Sequence, residues 1–150
     1  MQLDMCDIME AYRKRISLLR DLSASLEKER NHLTHQDIDG IWSTMEEKQK
    51  ILESIEENKV HMQSMIGMEL SYEDIPVKDR PSFAKLSQTL TALKEEIKIR
   101  AHENISFIRE TLDFVHEIIG AFAAAGDEQG SYGARKANPR QHGIMYHSEV

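Results

Sequence analysis

From Phe83 to Ala121 one row of positions recurs at alternating steps of three and four: Phe83, Leu86, Leu90, Leu93, Ile97, Arg100, Asn104, Phe107, Thr111, Phe114, Ile118 and Ala121. Most are apolar, and the spacing keeps one helix face in line for about six heptads. Pro81 suits a first helical turn, where its missing N–H costs nothing. Gly126 suits a left-handed residue just past the last turn. The pattern predicts a helix over about 81–125. At 1.5 Å per residue it would run roughly 65 Å, far beyond the ~11–12 residue average. Something has to pack along it.

The same alternation appears twice upstream. Met5, Ile8, Tyr12, Arg15, Leu19, Leu22, Leu26, Glu29 and Leu33 predict a first helix over about 4–33. Ile38, Ile41, Met45, Lys48, Leu52, Ile55, Lys59, Met62 and Ile66 predict a second over 38–66, with Gly67 as its stop. Trp42, Ile51 and Met65 broaden its apolar side. Between the two, Thr34-His35-Gln36-Asp37 supplies capping side chains, so a tight turn is expected, with Asp37 or a neighbour capping the second helix. One continuous kinked helix is the competing reading. The prolines at 76 and 81 disfavour helix just before them, which makes 68–80 a connection. The expected fold is all-α: an antiparallel three-helix bundle or coiled coil over 1–126 with a long third helix, then a flexible tail over 127–150 that lacks any period.

Folding the helices back about residues 37 and 74 gives an approximate register. Glu29 then lies near Lys48 and Arg100, one polar layer inside the seam, with Asn104 a turn further on. Buried ionic groups of this kind set register. The alternative is that Lys48 and Arg100 carry their charges out to water. Arg15 would face Lys59, so one of them must turn outward or find an acid such as Glu56. The third helix would outrun the hairpin beyond Thr111 by roughly 20 Å. That surplus is its most apolar part: Leu112, Phe114, Val115, Ile118, Ile119 and Phe122, on two adjacent seams. An apolar face without an internal partner marks a binding site, here one suited to an amphipathic helix of another protein. The helix bending back, the tail, or a second copy would cover it equally.

Composition narrows the functional classes. Hydrophobic residues make up 40% and charged residues 30% of 150, with three prolines, which fits helices and one domain. A net charge of -7 and the lack of a basic stripe argue against nucleic acid as partner. The start lacks the basic and apolar regions of a secretory signal, and no segment has the ~20 apolar residues of a membrane span. Cys6 is the only cysteine, so an intrachain disulfide is excluded. A cytoplasmic protein is expected.

Candidate chemistry is sparse. Glu29-x-x-His32 and, loosely, Asp113-x-x-His116 have the spacing of di-metal helical bundles. The second has Asp for Glu, and no further inward acids accompany them. Neither a phosphate-binding glycine loop nor a nucleophile elbow is present. Cys6 has no evident His or Asp partner. No cofactor, metal site or enzymatic activity is expected.

Several motifs, in order, resemble the FlgN family of flagellar type III export chaperones. They are Leu26-Glu27-Lys28-Glu29-Arg30-Asn31-His32-Leu33 with Asp37, then Glu47-Lys48-Gln49-Lys50-Ile51-Leu52, then Asn104-Ile105-Ser106-Phe107-Ile108-Arg109-Glu110-Thr111-Leu112. Tyr132-Gly133 near the end is similar to the family's Tyr-Gly-x-x-Gly, with Lys136 where the second glycine falls. The resemblance implies a helical cytoplasmic chaperone for the hook–filament junction proteins FlgK and FlgL. It implies that Tyr132, with Gly133, docks to the export gate protein FlhA, and that Glu29, Lys48 and Asn104 are structural. The alternatives are a self-associating structural coiled coil, in which the apolar face joins copies, and a metal-binding bundle enzyme.

Overall fold

The computed structural model describes residues 4–67 and 70–129. Among them the architecture is all-α, with three long helices: α1 (Met5–Thr34), α2 (Ile38–Ile66) and α3 (Arg80–Gln129), plus one 3-10 turn at Tyr72–Asp74. The chain divides between Thr111 and Leu112 into two units.

In the first unit α1 is the middle element. Asp4 caps it, its carboxylate accepting from the Cys6 N–H. Towards α2 it offers Ala11, Arg15, Lys28 and Glu29, which meet Asn58, Met62, Glu47 and Lys48 respectively. The early residues of α1 therefore meet the end of α2, an antiparallel pair. Towards α3 it offers Tyr12, Ser23, Leu26 and Arg30, which meet Phe83, Glu96, Asn104 and Phe107. Both lists rise together, so α1 and α3 are parallel and the order is up-down-up. Two adjacent seams on α1 explain why it is the most buried helix, with Ile8, Met9, Ile16, Leu18, Leu19, Leu22 and Leu26 all buried. Ile16, Leu19 and Leu90 form the centre, flanked by Tyr12, Ile55, Leu86, Leu93 and Ile97.

The α1–α2 turn is made by backbone geometry as much as by caps. Gln36 takes φ 56, the left-handed position usually held by glycine. Its N–H donates to the Leu33 carbonyl, and the Asp37 N–H donates to that of His32, closing the helix end. Asp37 then caps α2, accepting from the Gly40 N–H at 2.9 Å, and pairs with the His32 imidazole at 3.1 Å. A Cβ on Gly40 would meet the His32 ring and the Asp37 carboxylate, so a larger residue there would push this pair aside.

α2 is rotated from the face that its apolar residues suggest. Thr44 and Asn58 are buried and Ile51 and Met65 half-buried, whereas Met45, Leu52 and Lys59 are exposed. Their donors find partners where they sit, although the buried Asn58 Oδ1 accepts no hydrogen bond. Thr44 donates to the Gly40 carbonyl at 2.8 Å, and Asn58 to the Ala11 carbonyl at 3.2 Å. The rotation also removes a like-charge contact. Lys59 turns to Glu56, and Arg15 lies against the Met62 sulfur. In the connection, a capping box between Ser71 and Asp74 leads to Ile75, which is 1% exposed. Gly126, expected just past the last turn of α3, lies inside that helix.

Candidate functional site

The polar layer in the first unit joins all three helices. Asn104 of α3 is 2% exposed and donates to the Leu26 carbonyl at 2.9 Å and to Glu29 Oε1 at 3.0 Å. The other Glu29 oxygen accepts from Lys48 Nζ of α2. A buried carboxylate is thus met by one cation and one amide, leaving neither oxygen unpaired. Arg100 is not part of this group. It stays half-buried and pairs with Glu96 and Glu27. The shorter, neutral Asn104 takes the inner place because its amide can serve a backbone carbonyl and the carboxylate at once, while the guanidinium keeps water on one side.

Titration in this unit is perturbed at Tyr12. Burial against α3 pushes its hydroxyl above the ordinary phenol value, with the Arg15 charge acting the other way.

The second unit presents a different surface. Every described side chain over 112–126 is exposed. Leu112, Phe114, Val115, Ile118, Ile119 and Phe122 range from 39% exposed at Ile118 to 75% at Phe122. At 100° per residue they cover roughly half of the helix circumference, against the ≳100° stripe that a surface helix turns to a core. Written in heptads, Ile118 holds position a, Leu112 and Ile119 b, Phe114 d, and Val115 and Phe122 e. Glu117, exposed, fills g beside them. His116 fills f, on the far edge. The face can bury large apolar side chains, and it has the geometry of a helix-docking surface.

Sequence reasoning missed part of the exposed apolar surface of the first unit. Ile105 and Ile108 are 53% and 40% exposed. They hold heptad positions b and e, the same as Leu112 and Val115, and extending the two-seam count back one heptad would have found them. Ile38 and Trp42, placed on the apolar side of α2, are also well exposed. Tyr132 and Gly133 lie outside the described residues.

Among the described residues no group of three His, Cys, Asp or Glu side chains could hold a metal ion. His32 is engaged with Asp37, and Asp113 and His116 are exposed. Cys6 is a free, exposed thiol. No helix among the described residues is long and apolar enough to cross a membrane.

The family profile described as FlgN protein matches residues 5–140. Nothing matches among the curated proteins or among the solved structures.

Proposed function

The chain belongs to the FlgN family, a family of flagellar export chaperones, and from that premise we propose that it holds hook–filament junction proteins of the FlgK and FlgL type in the cytoplasm and delivers them to the export gate protein FlhA. The observation that carries the reading is the open apolar face at Leu112, Phe114, Val115, Ile118, Ile119 and Phe122. A junction protein whose terminal helix has an unburied apolar side would self-associate before assembly. Laying that helix on α3 hides both surfaces at once. Affinity concentrates in the large anchors, Phe114 and Phe122 first, because burying one such ring is worth about 1.5–3 kcal/mol.

Phe114→Asp and Ile118→Asp each abolish capture of a purified FlgK-type protein in a pull-down, while far-ultraviolet circular dichroism stays unchanged. Capture that survives both substitutions would place the docking surface elsewhere. Tyr132 is assigned to the gate through the resemblance. Tyr132→Ala therefore weakens binding to FlhA and leaves junction-protein binding intact; the opposite pattern would remove that assignment.

A further inference from the structure

We propose that the apolar face of the second unit has an occupant within the same chain: the segment Ile144-Met145-Tyr146 folds back onto Phe114 and Ile118 when nothing else is bound there, and an incoming helix has to displace it. Strap and face both belong to the second unit, 112–150; the competition with a junction protein rests on the chaperone reading above. The segment lies outside the described residues and is characterised by its sequence. After Gln129 it is the one run of three apolar side chains. On the receiving side Ile118, Phe114 and Phe122 are 39%, 61% and 75% exposed. A methionine adapts to such a surface and packs well against an aromatic ring.

Charge and reach together select this occupant. From 112 to 129 the chain carries Asp113, Glu117, Asp127 and Glu128 and no lysine or arginine. From 130 onward it carries Arg135, Lys136 and Arg140 against Glu149 alone. A second copy of the stretch 112–129 would bring four more acids to the face, with His116 as its one basic residue type. The basic segment of a second copy would match the charge, but the chain's own segment is tethered. Its tether from Gln129 to Ile144 is about 15 residues and includes Gly130, Gly133, Pro139 and Gly143. Taken as the aperiodic chain that its sequence predicts, a tether of that length spans about 19–23 Å. Along α3, Ile118 lies about 16 Å and Phe114 about 22 Å back from Gln129. A tether whose own span matches the distance to be bridged gives its highest effective concentration, of about millimolar order. On that return path Arg135, Lys136 and Arg140 travel back along an acidic stretch. Three apolar residues are fewer than the row that a whole amphipathic helix presents, so a longer helix wins the face.

Paramagnetic relaxation in the full chain tests the strap. Cys6→Ser removes the native thiol, and His147→Cys takes a nitroxide next to the segment. With spin label and isotope on the same chain, diluted in unlabelled chain, the methyl signals of Val115, Ile118 and Ile119 should be lost. Changing Ile144, Met145 and Tyr146 together to serine should raise the affinity for a purified FlgK-type protein about three- to ten-fold, because the face is then always open. Arg135→Glu with Lys136→Glu and Arg140→Glu should raise it too, and by less at high salt. Signals that survive the label overturn the strap. So does a loss seen only when label and isotope sit on different chains, which makes the occupant a second copy. Unchanged affinity in the triple serine variant also overturns it, and the chaperone reading stands if Phe114→Asp still abolishes capture. Conversely, if the label erases the Ile118 signal but Phe114→Asp captures the junction protein normally, the strap stands and the chaperone face is lost.

Discussion

Two stretches of α3 follow one heptad rule and meet different fates. Between Phe83 and Phe107 the a and d positions are buried or half-buried against α1, and the polar intruder Asn104 is satisfied by Leu26 and Glu29. From Leu112 to Phe122 the apolar positions lie on two seams, yet all are exposed. The difference lies in the polar members. A stretch folded on its own chain carries groups that fix register, because a misplaced Asn104 would be buried without partners. The open stretch has no charged group inside its seam, only Thr111, whose hydroxyl bonds back to the Phe107 carbonyl. It is an adaptable surface with its charges at the edge.

The largest expected effect separates the two stretches directly. Leu19→Ala, at a position 6% exposed in the central cluster, should lower unfolding free energy by about 2–5 kcal/mol. Phe122→Ala removes more carbon but should shift it by less than about 0.5 kcal/mol, since no cavity forms. Urea unfolding of both variants measures this. Equal losses would erase the distinction between the stretches.

The polar layer gives the next effect. Glu29→Ala leaves Lys48 Nζ without its acceptor and deprives the Asn104 amide of one. Loss of one partner from a fully buried pair costs 3–5 kcal/mol, but the Lys48 side chain is 26% exposed and can reach water, so about 2–3 kcal/mol is expected here. Glu117→Ala, a glutamate in the open stretch, should change stability by no more than about 0.5 kcal/mol. Urea midpoints at unchanged m-value distinguish these outcomes.

Much of this was legible in the residues. Three helices follow from the three–four spacing, and the break at 34–37 from the capping types of Thr34 and Asp37. The closure of that turn was not legible, since Gln36 carries no mark of a left-handed residue. Of the expected α2 seam, Ile41, Lys48, Ile55, Met62 and Ile66 are half-buried, but Met45 and Leu52 are exposed; an apolar tally ranks those two above Thr44 and Asn58. Burial instead went to two polar groups whose donors reach backbone carbonyls inside. Similarly, charge drew Arg100 into the layer on paper, and the amide of Asn104 took that place. The open face was visible as two apolar seams side by side.

The Arg30 contact with Phe107 supplies the finest comparison. Arg30→Ala removes the cation over Phe107 and the bond to the Glu103 carbonyl. An exposed cation–ring pair is worth about 0.5–1 kcal/mol, so the loss of stability should be of that size. Arg109→Ala, in the f row, should cost nothing measurable. Phe107→Leu alone should cost about as much as Arg30→Ala beyond its change in packing, and the double variant should show the two losses to be coupled. Additive losses would mean that Arg30 merely covers apolar surface with its stem.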